Sequence, residues 1–307
     1  MQKGPDASFT SLRGALRKAL AGASPVLAPG VGAPLFARLV AQAGFPAVYV
    51  SGASVASLQL GRPDVGLVTM SETVETTERV CEVVDLPVIV DADTGYGGVH
   101  NVARTVRELE RAGAAAIQLE DQVAPKRCGH LAGKEVVPTE EMAARLRVAL
   151  DARSDDETVI IARTDAASPE GLDAAIARAR RYGEAGADVL FVEAPRSEAE
   201  LGRIGQELSE WPLVANMVEF GQTPLLPVER LAELGFSLVI HPGLLVRAIV
   251  PAAQEALAHL VTSGTSAGRL APLATFDEVN ALVGLPALQE VERQFANPTR
   301  GATGLGE

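Results

Sequence analysis

The same junction recurs four times along the chain: AGFPAVYV from residue 43, AGAAAIQL from 112, AGADVLFV from 185 and LGFSLVIH from 234. In each, an amphipathic helical pattern runs up to a glycine (Gly44, Gly113, Gly186, Gly235), and a short aliphatic or β-branched run follows within two or three residues. A glycine just past a helix end takes the left-handed conformation without the strain a Cβ would bring. Each junction therefore reads as the helix-to-strand half of a βαβ unit. A chain that repeats this unit builds a parallel sheet covered by helices.

Adding the remaining apolar runs gives PVLAPG (25–30), AVYVSG (47–52), VIVDAD (88–93), AIQLED (116–121), VIIARTD (159–165), VLFVEA (189–194), LVANMVE (213–219) and SLVIHPG (237–243). Eight such strands alternating with helices predict an α/β fold closed as a (β/α)8 TIM barrel. The alternative is a doubly wound open sheet, but no G-x-G-x-x-G opens a helix here. The length of 307 residues suits one α/β barrel with appendages. The expected organisation is a single barrel domain over 1–296, which includes a helical arm over about 244–296. The arm is written in PGLLVRAIVPAAQEALAHLVTSG and TFDEVNALVGLPALQEVERQFA, which lie beyond the eighth unit. The tail NPTRGATGLGE, 297–307, has no apolar periodicity and reads as disordered.

Charge and cysteine usage exclude several classes. Lys and Arg number 27 against 39 Asp and Glu, a net charge of -12, with no basic cluster; this argues against nucleic acid and anionic membranes as partners. No apolar run approaches the ~18 residues of a membrane span, and MQKGPDASFTSLRGALRKAL lacks the apolar segment of a secretory signal, so the expected location is cytoplasmic. Two cysteines supply neither a disulfide framework nor the ligands of a structural zinc site. Cys81, in the helical pattern TTERVCEVV, reads as a buried inert thiol.

Polar residues fall at one end of the strands. Ser51, Asp91, Asp93, Glu120, Asp121, Arg163, Asp165, Glu193, Asn216, Glu219 and His241 all close a run or follow it. In a barrel those positions converge on the C-terminal mouth, where active sites of this fold lie. In DADTGYGG, Asp91 and Asp93 are two apart and so share a strand face, and the glycines that follow let a ligand approach the backbone. With Glu120 and with Asp64 from GRPDVGLVT, they read as an all-oxygen Mg²⁺ site with several water ligands; carboxylates bonded to loop amides are the alternative. Zinc is disfavoured because His and Cys do not accompany the acids. The stretch PKRCGHLAGK (125–134) places Cys128 among Lys126, Arg127 and His130, each favouring a thiolate, while Gly129 and Gly133 let the segment move. Cys128 there is either a nucleophile or a proton shuttle to a carbanion, and the Cys-His spacing does not separate the two.

The stretch VDADTGYGGVHNVARTVRELERAGAAAIQLEDQVAPKRCGHLAGKEVV, followed by IIARTDA, FVEA and ANMVEFGQTPLL, resembles the isocitrate lyase and phosphoenolpyruvate mutase superfamily from about residue 10 to about 296. The K-R-C-G-H run is most similar to the 2-methylisocitrate lyases. The resemblance implies a barrel whose last helix is exchanged with a neighbouring subunit in a homotetramer. It implies Mg²⁺, with Mn²⁺ as a substitute, bound by Asp91 and Asp93 with Asp64 and Glu120 arranging the shell. It further implies a di- or tricarboxylate substrate with its oxoacid end on Ser51, Gly52 and Ala53, Arg163 as carboxylate clamp, and Gly129, Glu193, Asn216 and Thr223 around the second product. Cys128 would carry the proton, and Lys126, Arg127 and His130 would stabilise negative charge in a pocket of concentrated positive charge. The implied reaction is retro-aldol cleavage of 2-methylisocitrate to pyruvate and succinate. NMVEFG departs from the Asn-Ile-Thr-Glu-Phe-Gly of those lyases, Val218 replacing a hydroxyl, and HPGLL departs from Tyr-Pro-Leu. These departures resemble relatives acting on 2,3-dimethylmalate, oxaloacetate or carboxyphosphonoenolpyruvate.

Overall fold

The computed structural model describes residues 5–127, 129 and 133–296; the expectations for Cys128, His130 and the 297–307 tail fall outside the described residues. The chain forms two compact units, 1–249 and 250–307.

In the first unit, α1 (Pro5–Leu20) precedes eight strands, each followed by helix. β1 (Val26–Val31) leads to α2 (Pro34–Gln42), and β2 (Val48–Val50) to α3 (Gly52–Val55), a π turn and α4 (Met70–Cys81). β3 (Val88–Asp91) leads to α5 (Val99–Arg111), β4 (Ala116–Glu120) to α6 (Thr139–Ala152), and β5 (Val159–Thr164) to α7 (Leu172–Glu184). β6 (Val189–Val192) leads to α8 (Glu198–Glu207), β7 (Val214–Asn216) to α9 (Val228–Glu233), and β8 (Leu238–His241) to α10 (Leu244–Ser263). All pairings are parallel, in the order β6-β5-β4-β3-β2-β1-β8-β7. Between β6 and β7 the ring closes through one parallel bridge, Leu190 to Leu213, where Leu190 N donates to Pro212 O at 3.0 Å. This is the (β/α)8 barrel the repeats predict.

The strands read as unbroken apolar runs because both faces are buried. Val48, Val50, Val88, Val90, Ile117, Ile160 and Leu190 pack outward against the helices, while Tyr49, Ile89, Ile161, Phe191, Leu238 and Ile240 fill the barrel. Helix α1 adds Leu16 and Leu20 to that inner cluster. Its buried Arg13 donates to Ala114 O at 3.1 Å and Glu110 O at 2.6 Å and pairs with Asp155 at 3.0 Å. Burial pushes the Cys81 thiol up to about 12, which makes it the inert thiol the sequence suggests.

From β2 to β8 the strands end one to three residues before the predicted runs do, because the polar residues there have turned into the loops; β1 runs one residue past its predicted end. Register sets their heights: Asp91 stands opposite Gln118, and Glu120 opposite Arg163. Asp93 lies beyond β3 with φ 48°, so it reaches the same region as Asp91 through a left-handed turn and not through strand alternation. Ala194 after β6 (φ 59°) and Phe220 after β7 (φ 62°) share this uncommon conformation at the same end of the barrel. Clustering of such strain is a feature of functional sites.

The second unit contains a 3-10 turn (Ala267–Arg269), α11 (Phe276–Leu282) and α12 (Leu285–Ala296). Thr275 and Glu278 form a capping box at the start of α11. Val261, Phe276 and Phe295 are exposed by 85%, 82% and 79%, far beyond what isolated surface apolar residues need. Helix α10, which runs across the boundary between the units, is 20 residues long with a mean hydropathy of 1.4 in its most apolar window. By length and composition it is long and apolar enough to cross a membrane, which the expectation that no apolar run approaches a membrane span overlooks.

The four junction glycines have φ of 81° (Gly44), 102° (Gly113), 108° (Gly186) and 93° (Gly235), the left-handed region the sequence pattern requires. Nothing stands within 4 Å of a Cβ built on Gly44, so Gly44→Ala tests backbone strain alone. The substitution is expected to lower unfolding free energy by about 1 kcal/mol, read by urea titration.

Candidate active site

A cavity opens at the C-terminal end of the barrel. Ser51, Ala53, Asp64, Asp91, Lys126, Gly129, Arg163, Glu193 and Asn216, all singled out from the sequence, line it. Tyr49, Val218, Ile240, Pro242, Gly243 and Arg247 complete the wall. Ser51 also caps α3, accepting from Ser54 N at 3.3 Å. A Cβ on Gly52 would stand 3.3 Å from Asp91 Oδ2 and 3.2 Å from Asp93 Oδ1, so a side chain there would push against both carboxylates.

The acids divide into two groups. Lys126 Nζ lies 2.5 Å from Asp64 Oδ1 and 2.8 Å from Asp93 Oδ1, all largely buried. Asp91 Oδ1 accepts from Gln118 Nε2 at 3.2 Å, and Gln118 Oε1 in turn accepts from Tyr49 Oη at 3.2 Å. Burial raises the Asp93 carboxyl to about 7, with Lys126 opposing and Asp91 reinforcing the rise. Lys126 is held well above its ordinary value, because the carboxylates of Asp93, Glu120, Asp91 and Asp64 outweigh its burial. Glu120 belongs to the second group, 3.3 Å from Arg163 Nε, and its own burial raises it well above the carboxylate range.

Arg163 is the centre of that second group. It donates to Asp165 through Nε (2.8 Å) and Nη2 (3.0 Å), reaches Glu193 at 3.5 Å, and lies over the Phe191 ring at 5.2 Å. Asn216 Nδ2 donates to both Glu193 oxygens at 3.3 and 3.1 Å. Lys134 Nζ, also buried, donates to Asp165 Oδ1 at 2.8 Å and to Gly129 O at 2.5 Å. Burial alone would raise Asp165, but Arg163 and Lys134 together bring it down to about 2.

Three sequence expectations change at this point. Arg127 is exposed and stands outside the cavity wall, its backbone held by Gln122 instead: Arg127 N donates to Gln122 Oε1 at 2.9 Å, and Gln122 Nε2 donates to Arg127 O at 2.8 Å. Thr223 is buried but is not part of the wall. The expected concentration of positive charge is absent among the described residues. Lys126, Arg163, Lys134 and Arg247 face Asp64, Asp91, Asp93, Glu120, Asp165, Glu193 and Glu219. A polyanion entering such a site needs further positive charge. The acids suit a hard cation: their donors are all carboxylate oxygens, a buried lysine ammonium already stands between two of them, and Glu120 Oε1 is buried without a hydrogen-bond partner. No group of three or more His, Cys, Asp or Glu side chains among the described residues converges for direct coordination, so such an ion would be held largely through water.

Lys134, Gln118, Tyr49 and Arg247 were missed by sequence reasoning. Lys134 sits inside the cysteine stretch already quoted, and Gln118 is the one amide inside an otherwise apolar run; those signals were visible. Tyr49 looks like any core aromatic, and Arg247 belongs to a helix whose place over the cavity only the turn after β8 decides.

A closed parallel barrel with paired carboxylates, a buried guanidinium and a lysine converging at its C-terminal mouth defines a TIM-barrel enzyme. Comparison with known proteins places it further: the family model described as phosphoenolpyruvate phosphomutase matches residues 16–261, and the chain belongs to that family. It is an enzyme of the family's oxo-acid lyase type. It is 46% identical over 281 residues to a probable 2-methylisocitrate lyase 2 of Corynebacterium glutamicum, covering 89% of this chain and 91% of the relative. The crystal structure of a 2,3-dimethylmalate lyase, a PEP mutase/isocitrate lyase superfamily member, is similar at a TM-score of 0.88 and 38% identity, covering 97% of this chain and 99% of that one. A phosphonopyruvate hydrolase crystallised with oxalate and Mg²⁺ is similar at a TM-score of 0.83 and 30% identity, covering 92% of this chain and 99% of that one.

Removing Asp165 would leave Arg163 and Lys134 without their shared carboxylate. Asp165→Asn is therefore expected to cost about 3–5 kcal/mol, read by chemical denaturation. Because the folded-state value is depressed, Asp165 contributes its full stabilisation above its unfolded pKa of about 3.9, and the wild type loses that contribution as pH falls toward about 2. The variant should show a flatter dependence over that window.

Proposed function

We propose that the protein is a Mg²⁺-dependent carbon–carbon lyase that cleaves 2-methylisocitrate to pyruvate and succinate. The observation that carries this reading is the division of one cavity into an acid cluster at Asp64, Asp91 and Asp93 and a guanidinium group built on Arg163. Such a site has a hard-cation end for a 2-hydroxy acid and a clamp for a second carboxylate. The similarity to a probable 2-methylisocitrate lyase supports it, as does the Mg²⁺ and oxalate complex of a structural relative.

Asp91 and Asp93 would hold the ion, with Asp64 and Glu120 arranging its water. Bound there, Mg²⁺ supplies electrostatic stabilisation of the 2-oxygen as it passes from hydroxyl to oxo group. Ser51, Gly52 and Ala53 bind the same end of the substrate. As the bond between C2 and C3 breaks, its electron pair moves onto C3 and the carboxylate attached to it, and the 2-hydroxyl proton passes to a carboxylate of the acid cluster. Cys128 donates a proton to C3 and acts as base in the reverse direction; Lys126 and His130 offset the developing charge. Arg163, fixed by Asp165, Glu193 and Glu120, keeps its orientation through the reaction, so the charge it presents costs little reorganisation. Glu193, Asn216 and Gly129 shape the space for the second product. The chain would work in the cytoplasm as a homotetramer, a single barrel domain to residue 296 with the surplus C-terminal helices of its 244–296 arm exchanged between subunits. The exposed Val261, Phe276 and Phe295 support that assembly.

A second reading has its own observation. Val218 lines the cavity where a hydroxyl would serve an additional carboxylate, which favours 2,3-dimethylmalate. The deciding experiment is a product assay on purified protein with 2-methylisocitrate, 2,3-dimethylmalate and oxaloacetate, with and without a chelator. Pyruvate and succinate from 2-methylisocitrate, abolished by chelator, is the expected outcome; pyruvate and propionate from dimethylmalate alone would transfer the assignment to the second reading. Cys128→Ser should lower kcat by at least about a hundredfold while leaving the melting temperature and Mg²⁺ binding unchanged.

A further inference from the structure

Glu120 and Asp121 stand side by side at the end of β4, and strand alternation sends them to opposite faces. Glu120 meets Arg163 at 3.3 Å, whereas Asp121 turns outward to helix α7 and is not part of the cavity wall. Asp121 is nonetheless fully buried and fully engaged. Its Oδ1 accepts from Asp165 N at 2.9 Å, and its Oδ2 accepts from Thr164 Oγ1 at 2.7 Å and from Tyr182 Oη at 2.8 Å.

Tyr182 comes from outside the barrel. It follows Arg178 by four residues on α7, so the two side chains leave the same face of the helix. Arg178 Nη1 donates to Tyr182 Oη at 3.4 Å and to Val137 O at 2.8 Å, while its Nε and Nη2 donate to Glu170 at 2.7 and 2.9 Å. A guanidinium has no acceptor, so the phenol accepts from Arg178 and its single proton goes to Asp121. The direction of the hydrogen bonds is thereby fixed: Arg178 donates to Tyr182, Tyr182 to one oxygen of Asp121, and the Asp165 amide to the other. Asp165 in turn presents both carboxylate oxygens to Arg163, at 2.8 and 3.0 Å. The phenol holds its place stiffly, since tyrosine has two rotatable side-chain bonds and Tyr182 has no solvent exposure.

We propose that Tyr182, on the outer helix α7, is a positioning residue for Arg163, acting through Asp121 and Asp165 to hold the guanidinium at the angle a substrate carboxylate needs. This rests on the proposed role of Arg163 as the group that receives the second carboxylate of the substrate. A bidentate guanidinium–carboxylate pair depends on the plane of the fork. Within a buried hydrogen-bond network that plane shifts when a remote member is lost, and small misplacements are costly in binding and rate. Tyr182 is not part of the cavity wall, so any effect it has on a ligand passes through these partners.

The test is calorimetric titration of succinate, with Mg²⁺ present, into the purified wild type, Tyr182→Phe, Ile176→Val, Arg163→Lys and the double variant of Tyr182→Phe with Arg163→Lys. Tyr182→Phe deletes only the hydroxyl, and Asp121 keeps Thr164 and the Asp165 amide, so the protein is expected to fold with a melting temperature about 2–4 °C lower. Succinate affinity is expected to fall about tenfold in this variant. Ile176→Val, a buried apolar change on the same helix, should lower the melting temperature comparably and alter affinity less than about twofold. Arg163→Lys should weaken succinate by itself, and in that background Tyr182→Phe should cost less than about twofold, because the fork it aligns is gone. An unchanged affinity in Tyr182→Phe, an equal loss in Ile176→Val, or the full loss repeated in the Arg163→Lys background overturns the proposal. A wild type without affinity for succinate, or an Arg163→Lys variant that binds it as the wild type does, sinks the carboxylate role of Arg163 and the proposal with it. Turnover of 2-methylisocitrate is followed in parallel: the expected affinities in a protein that does not cleave this substrate leave Tyr182 in its positioning role and sink only the proposed reaction.

Discussion

Asp165 accepts hydrogen bonds from Arg163 and Lys134 at once, in a position with no solvent exposure. Two buried cations are tolerable only because this carboxylate, with Glu120 and Glu193, satisfies them; remove it and each carries an uncompensated desolvation cost. Through Arg163 the network fixes a guanidinium that lines the cavity. Through Lys134 it reaches the carbonyl of Gly129, next to the cysteine of the K-R-C-G-H stretch. Asp165 is itself aimed by Asp121, whose Oδ1 accepts from Asp165 N at 2.9 Å and whose Oδ2 accepts from Thr164 Oγ1 and Tyr182 Oη at 2.7 and 2.8 Å. Arg178 then joins Val137 O to Glu170, so the loop carrying Lys134 and the loop after β5 share one buried framework.

The barrel makes this framework possible by register. Glu120 faces Arg163, and Asp91 faces Gln118, because parallel pairing places consecutive strands at matched heights. Side chains separated by tens of residues then meet across one strand spacing. The local surplus of carboxylate that results is the physical reason a divalent cation belongs in the proposed chemistry: a carboxylate substrate placed among these acids without one would meet repulsion from nearly every side.

The sequence made some of this legible. The four junction glycines, the eight apolar runs and the acidic strand ends each state a local requirement that a reader can recover from a few residues. Ser51, Ala53, Asp64, Asp91, Lys126, Gly129, Arg163, Glu193 and Asn216 do gather around one cavity, as strand-end positions in a barrel must. Asp93 joins them for a reason alternation did not predict, since its left-handed backbone and not the strand pleat turns it toward Lys126. Arg127 looked equivalent to Lys126 in sequence, yet adjacent residues in a loop point in different directions, and only one of them faces the cavity.

What the sequence by itself determined is the set of local and periodic properties: left-handed glycines, apolar strands, helical crossovers, and through them a closed parallel barrel with its chemistry at one rim. These follow because backbone sterics and burial act over a few residues. Only the tertiary structure decided which charges neutralise one another: that Lys126 sits between Asp64 and Asp93, and that Asp165 serves both Arg163 and Lys134. Electrostatic partnership depends on distance and burial in three dimensions, and neither is written in spacing along the chain.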